Sequence, residues 1–190
     1  MMQLQETLRR VDTLRAELTA LRPLNAGELA RMRDEFAIEN TYNSNAIEGN
    51  SLTLRETALI LQEGITIAEK PLKDHLEAIG HRDAFRYVVE LADKNSPLTE
   101  RAVKDIHALV LMNDAENKGV YRRLAVQIMG AAHTPPPPHL IQEQMKILLD
   151  DYAGQAGRHP VEAIAEFHLR FEGFTLSLTA TGAQGVCCSI

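Results

Sequence analysis

Residues 119–138 read GVYRRLAVQIMGAAHTPPPP, and this stretch decides the fold because the spacing of apolar residues changes there. Apolar side chains at 124, 126 and 128 alternate with their neighbours up to Gly130, which is the period of a β-strand. The four prolines at 135–138 have no N–H to donate to a sheet, so they predict a stiff, extended return arm. The stretch therefore predicts one short β-hairpin, between about residues 124 and 133.

The sequence on both sides of this hairpin has the three-and-four spacing of amphipathic helices. Asn25 and Thr53 each precede a glutamate by three residues, the spacing of a capping box, so helices are predicted to begin there. Further helices are predicted before Pro23, after Pro71, from about Thr99, around residues 141–149 and after Pro160. The buried side of the helix after Pro71 is expected to comprise Leu72, Leu76, Ile79, Ala84, Val88 and Leu91. The prediction is an all-α domain with one hairpin.

The first helix carries an apolar stripe that needs a partner. Its members are Leu4, Leu8, Val11, Leu14, Leu18 and Leu21. The body of the same domain could cover this stripe. A second copy of the chain could also cover it, because a seven-residue repeat suits a helix dimer.

Composition limits the classes of partner. The chain has 190 residues, 45% of them hydrophobic, which suits one ordinary globular domain. A net charge of −6 without a dense run of Lys or Arg argues against nucleic acid or anionic lipid and favours protein or small-molecule partners. The absence of a membrane-length apolar stretch and of a signal peptide predicts a cytoplasmic protein. The adjacent Cys187 and Cys188 suit neither a disulfide framework nor a zinc site.

Three stretches together resemble the Fic family, whose members transfer AMP from ATP to a hydroxyl of a target protein. The sequence SNAIEG at 44–49 fits the family's inhibitory-helix pattern: Ser or Thr, three residues, Glu, then Gly or Asn. GVYR at 119–122, with the strand and prolines after it, is similar to the family's flap hairpin. Residues 159–173, which begin HPV and include His168, are similar to the helix before the family's signature. Each stretch also has a plainer interpretation: a solvated carboxylate before a capping glycine, a surface hairpin, and a helix with a structural histidine.

The family's signature should follow Gly173, but it is missing. That signature is His-Pro-Phe, two residues of which the second is acidic, Gly-Asn-Gly-Arg, two residues and Arg. Residues 174–190 instead read FTLSLTATGAQGVCCSI. When the frame is shifted by one base from the Gly173 codon, the same codons are compatible with Ile-His-Pro-Phe-Leu-Asp-Gly-Asn-Gly-Arg-Thr-Gly-Arg. We therefore expect that the reading frame slipped after Gly173, which makes both cysteines out-of-frame leucine codons.

The resemblance implies a Fic-type helical domain with a hairpin flap, divided into three parts. Residues 1–50 would hold the N-terminal helices with the inhibitory helix, 51–173 a core without its catalytic loop, and 174–190 an out-of-frame tail. The intact relative would be a signal-transduction enzyme that uses ATP and Mg²⁺. Here Thr175 stands in place of the signature histidine, Thr179 in place of the acidic residue and Val186 in place of the last arginine. This chain is therefore expected to be inactive, with no catalytic residue, no metal site and no tight nucleotide binding.

The resemblance also assigns roles to residues that are present. Glu48 would pair with the last signature arginine and block the γ-phosphate of ATP, with Ser44 and Gly49 shaping that helix end. The flap would bind a target protein, which bears a Ser, Thr or Tyr hydroxyl, by strand addition. Its residues are Val126, Gln127, Ile128, Met129 and Gly130. Two alternatives stay open: a non-enzymatic helical module that dimerises or binds partners through its first helix, and a family variant that transfers another phosphorylated group.

Overall fold

A computed structural model of the chain describes residues 2–21, 23–126, 134–155 and 157–175. These residues form the helices α1 (Met2–Ala20), α2 (Ala26–Ile47), α3 (Leu54–Glu63), α4 (Leu72–Asp93), α5 (Glu100–Val110), α6 (Pro138–Ala153) and α7 (Pro160–Thr175). Over those ranges no β-strand occurs, so the all-α prediction is confirmed there. Most of the predicted hairpin, including four of its five target-binding residues, lies at 127–133, outside the described residues. Across the described helices, none combines the length and apolarity needed to cross a bilayer.

The helix starts follow from local side chains. Asn25 and Thr53 each accept a hydrogen bond from the backbone N–H three residues later, and the glutamate at that position bonds back to the cap. Both predicted capping boxes are therefore confirmed. Gly64 ends α3 with φ 67, in the left-handed region that glycine adopts without strain.

Helix α4 is the centre of the packing, because it lies against α2, α3 and α5. Its predicted apolar side is wrong in part, since Leu72 is 68% exposed. The buried residues of this helix are Asp74, His75, Ala78, Gly80, His81 and Ala84. A helix that contacts three others buries several faces, so a single apolar stripe does not describe it. Gly80 allows the backbones of α4 and α5 to approach closely, because a Cβ at this position would lie 2.4 Å from the carbonyl oxygen of Leu109 on α5.

Two apolar clusters fill the described interior. One contains Leu52, Ile60, Leu61 and Ala78, beneath α3 and α4. The other contains Val103, Met145, Leu148 and Leu149, and the aromatic rings of α7 pack against it. The opposite side of α7 is open, with Ile164 56% and Leu169 75% exposed. Helix α7 is therefore fixed to α6 through one side only.

Helix α1 leaves most of its apolar stripe uncovered. Leu8 is buried, whereas Leu14, Leu18 and Leu21 are each more than half exposed. The Asp12 carboxylate lies 3.2 Å from Nε2 of His159, which precedes α7. The body of the domain thus does not cover the stripe along its length.

Candidate functional site

The end of α2 carries the residues of the predicted inhibitory pattern. Ser44 and Glu48 are partly buried, and Gly49 has φ 86. The Gly49 N–H donates to the Ala46 carbonyl at 3.1 Å, and the N–H of the next residue donates to the Asn45 carbonyl at 3.0 Å. These two bonds form a Schellman motif, in which glycine takes the left-handed position. Gly49 therefore ends the helix directly after Glu48.

The turn after Glu48 is fixed to the start of α4 by hydrogen bonds. The Asn50 side-chain amide donates to the Asp74 carbonyl at 3.1 Å and to Glu77 Oε2 at 3.0 Å. Asp74 Oδ2 accepts the Ser51 N–H at 2.8 Å and the Ser51 hydroxyl at 2.5 Å. The Lys70 ammonium donates to the Ser51 carbonyl. These residues could not be predicted from the sequence, because Asn-Ser after a glycine indicates only a turn.

Further along, α2 is attached to α4 by two different contacts. Thr41 Oγ1 lies 3.0 Å from His81 Nδ1 in the buried interface, and burial lowers the pKa of His81 below its usual value. At the far end, the Arg33 guanidinium donates two hydrogen bonds to the Asp93 carboxylate, at 2.8 and 2.9 Å. These contacts hold α2 to α4 between Arg33 and Thr41.

The GVYR stretch is anchored to α5. The Gly119 N–H donates to His107 Nδ1 at 3.0 Å, and burial lowers the pKa of His107 to about 4. The imidazole is therefore neutral at pH 7 and its Nδ1 can accept. The Lys104 ammonium lies 4.4 Å from the centre of the Tyr121 ring, a cation–π contact. Both contacts fix the chain where it leaves the helical core.

Arg122 connects the two sides of residues 127–133. It is 4% exposed. One of its terminal nitrogens donates to the Leu124 carbonyl at 2.6 Å, and the other donates to the Pro136 carbonyl. Arg122 belongs to the GVYR stretch, but no pattern in the sequence predicts a role for it.

An open cleft of about 400 Å³ lies between residues 134–137, which follow the segment 127–133, and the end of α7. Its lining residues are Thr134, Pro136, Pro137, Gln144, Leu169, Arg170, Gly173 and Phe174.

Helix α7 continues through Thr175, so the two positions after Gly173 are helical. The other two substituted signature positions, Thr179 and Val186, lie outside the described residues. His168 is exposed on α7 and takes no part in the apolar clusters.

The described residues do not fit the Mg²⁺ ion that the resemblance implies. Within the described ranges, no group of three His, Cys, Asp or Glu side chains could hold a metal. Mg²⁺ prefers carboxylate and phosphate oxygens in an octahedral arrangement. The open cleft is lined by Thr134, Gln144, Arg170, two prolines and apolar residues, and none of these lining residues has a carboxylate.

Sequence and structure comparisons place the chain among known proteins. Residues 97–174 match the Fic/DOC family. The chain is 31% identical over 174 residues to a protein adenylyltransferase Fic of Culex quinquefasciatus and 30% identical over 169 residues to one of Nematostella vectensis. Each alignment covers 87% of this chain but only 33% and 39% of those relatives. The chain thus spans little more than a third of their length.

Solved structures show the same fold. A Fic-domain-containing signaling protein from Bacteroides thetaiotaomicron superimposes with a TM-score of 0.78 at 29% identity, over 93% of this chain and 68% of that protein. Fic-1 from C. elegans superimposes with a TM-score of 0.74 at 28% identity, over 96% of this chain and 54% of that one. On these similarities of sequence and fold, residues 97–174 match the Fic/DOC family, and the chain has the fold of solved Fic-domain proteins.

Proposed function

We propose that this chain carries the inhibitory and target-binding parts of a protein adenylyltransferase and has lost the chemical part. The intact relative would use ATP and Mg²⁺ to attach AMP to a Ser, Thr or Tyr hydroxyl of a target protein. Relatives that bear the name protein adenylyltransferase support the activity class. The name describes those relatives, and whether this chain has the same activity is a question for experiment.

The observation that carries the proposal is the position of the cleft. It lies between Pro136, at the end of the proposed flap, and Phe174, where α7 reaches the place of the missing signature. A target hydroxyl must meet the catalytic histidine and the phosphate of ATP at one point, so the flap and the signature loop have to face each other. The cleft brings their described ends together.

The flap itself is proposed to receive the target as an added strand. Residues 126–130 would offer main-chain N–H and C=O groups to an extended peptide, so that the backbone supplies affinity and varied side chains are tolerated. The anchored Gly119 and the extended backbone of Pro137, which precedes α6 on the return side, support a loop of this kind. The predicted extended arm is shorter than the proline run, because Pro138 already begins α6.

Glu48 is proposed as the inhibitory residue. A carboxylate and an arginine pair through two directed hydrogen bonds, so a glutamate in the right place can hold the last signature arginine away from ATP. The Schellman turn at Gly49 and the bonds from Ser51 to Asp74 fix the backbone on which Glu48 is carried. Ser44, one turn earlier, would steady the same helix end.

Loss of activity is proposed to follow from the frame slip after Gly173. A threonine cannot act as the general base at neutral pH, because its hydroxyl does not take up a proton there. Threonine at 179 provides no carboxylate for Mg²⁺, and valine at 186 provides no charge for the phosphates. The regulatory parts would therefore persist without a reaction to regulate.

The test is transfer of labelled AMP by a frame-repaired chain, in which the residues after Gly173 are restored to the signature. The chain as it stands should label nothing. The repaired chain should label itself or proteins of a lysate weakly, and Glu48→Gly should raise that labelling tenfold to a hundredfold, because one charge-assisted hydrogen bond is worth about 1.5–3 kcal/mol. Glu63→Gly is the matched control, since Glu63 also precedes a helix-ending glycine. Equal labelling by both variants would remove Glu48 from this role.

A second candidate is favoured by the exposed stripe on α1. Leu14, Leu18 and Leu21 would suit a helical module that dimerises or binds a partner. Leu18→Lys should convert a dimer to a monomer in sedimentation if this candidate is right.

If the repaired chain labels targets with a group other than AMP, the mass of the product will identify that group.

A further inference from the structure

Arg122 is a buried cation whose partners are unusual. Within the described ranges no carboxylate pairs with it, and burial lowers its pKa. A buried charge is costly unless it is compensated, and acidic side chains are the common compensation. Here two backbone carbonyls, those of Leu124 and Pro136, accept its hydrogen bonds. Within the described ranges, no ion pair offsets the cost of burying this charge. The contribution of Arg122 to the structure therefore lies in its hydrogen bonds to the two carbonyls.

The geometry of those two bonds matters. Leu124 precedes residues 127–133 and Pro136 follows them, so one side chain holds both sides of this segment. Guanidinium is a rigid, planar group with donors in fixed directions, whereas an ammonium is a point charge on a flexible stem. Only the guanidinium can fix both the separation and the direction of two carbonyls at once.

The guanidinium can act in this way because its own backbone is fixed. Gly119 is bonded to His107, and Tyr121 lies under Lys104 and packs against the Val103 and Met145 cluster. Arg122 follows directly, so it extends from a backbone that is anchored to α5. The two carbonyls are thereby held relative to α5 as well as to each other.

We infer that Arg122 is a positioning residue that clamps Leu124 and Pro136 together, on either side of residues 127–133. Such a clamp fixes the separation of these two residues before any partner arrives, which lowers the ordering cost when an extended peptide binds. That consequence for a target rests on the proposed function. The clamp itself does not, since it is formed by contacts within this chain.

The test is native-state proteolysis of the 190-residue chain with a protease that cuts after leucine. Leu124 is 66% exposed and immediately follows the GVYRR sequence, so its cleavage reports release of the clamp. Arg122→Met keeps an unbranched apolar stem but removes the guanidinium and both donors, and should raise the rate of cleavage after Leu124 about tenfold or more. Arg123→Met is the matched control, because Arg123 is the exposed neighbour, and it should leave the rate unchanged.

Cleavage after Leu72, an exposed leucine at the start of α4, separates a local from a global effect. Positioning predicts that only the Leu124 rate rises, whereas general destabilisation raises both rates together. Arg122→Lys, which keeps the charge but has no two nitrogens in fixed directions, should fall between the wild type and Arg122→Met. If Arg122→Met does not fold, Arg122→Lys alone decides, by raising the Leu124 rate with the Leu72 rate unchanged. The inference is overturned by equal rates in wild type and variants, or by equal rises at both sites. AMP transfer is not measured, so a failure of the proposed function would not affect the result.

Discussion

Two segments leave the helical core near the proposed site, and they are held by different chemistry. The turn after α2, residues 48–53, gives the Ser51 N–H to the carboxylate of Asp74 at 2.8 Å. The segment after α5, residues 119–126, gives the Gly119 N–H to the neutral imidazole of His107 at 3.0 Å. The first acceptor is a carboxylate oxygen, whereas the second is a ring nitrogen that accepts only while the imidazole is neutral. The same task of fixing a backbone N–H is thus performed by two different kinds of acceptor.

This difference indicates that acid should release the proposed flap through a specific residue. Protonation of His107 would place an N–H where the Gly119 N–H now donates, and two donors cannot bond to each other. The residues of the proposed inhibitory turn have no such dependence on a neutral imidazole. The predictions that follow test this contrast.

The largest expected effect is the loss of stability on acidification. Because the pKa of His107 is lowered to about 4 in the folded state from 6.5, the unfolded chain binds the proton first as pH falls. Stability is therefore fully present above about pH 6.5 and is lost between there and about 4, by about 3 kcal/mol at most. His107→Gln, which keeps an acceptor but does not titrate, should flatten this slope in urea unfolding measured from pH 7 to 4.5.

Two further histidines serve as references for that measurement. Burial also lowers the pKa of His81, so a smaller slope in the same direction should remain in His107→Gln. His168 is exposed, and His168→Gln should leave the slope as it is in the wild type. Identical slopes in wild type and His107→Gln would contradict the assignment of His107 as the titrating acceptor.

Next in size is the removal of the acceptor in the other segment. Asp74→Ala leaves the Ser51 N–H and hydroxyl without their shared partner, which should cost about 1–3 kcal/mol in urea unfolding. Asp34→Ala, on the exposed face of α2, should change stability by less than about 0.5 kcal/mol. A loss at Asp74 no larger than the loss at Asp34 would show that the turn is not held by this carboxylate.

The smallest effect compares one glycine from each segment. Gly49→Ala forces a Cβ into the left-handed region at φ 86 with open space around it, which should cost about 1–2 kcal/mol. Gly119→Ala meets the same strain at φ 71, and its Cβ would also lie 3.2 Å from the Ala108 Cβ and the Lys104 carbonyl oxygen. Thermal unfolding should therefore rank Gly119→Ala as the more destabilising change. The reverse order would show that the segment after α5 yields more easily than its contacts indicate.

Local signals made much of the fold predictable. The capping boxes at Asn25 and Thr53 depend on residues within one turn, and both were predicted correctly. The buried side of α4 was not, because burial there depends on three neighbouring helices and on polar side chains whose partners are distant in sequence. The first helix shows the same limit, since periodicity identifies an apolar stripe but not what covers it.

The candidate site was predictable only as far as its motifs. The residues SNAIEG and GVYR marked the two segments, and Gly49 takes the backbone conformation that its pattern favours. Asp74 and His107, which hold those segments, belong to no motif, and Arg122 lies in GVYR without a predicted role. Each of the three acts through a backbone group elsewhere in the chain, which no local pattern indicates. The roles of Glu48 and of residues 126–130 remain predictions.

The central claim is that the chain keeps its regulatory parts and lacks the loop that holds ATP. Titration calorimetry with ATP and Mg²⁺ tests it directly, with the chain as it stands beside the frame-repaired chain. A glycine-rich turn at a helix N-terminus holds phosphates through its backbone N–H groups, and only the repaired chain has that sequence. The account predicts Mg²⁺-dependent micromolar binding by the repaired chain and no measurable heat from the present one. Equal affinity in the two chains would contradict it.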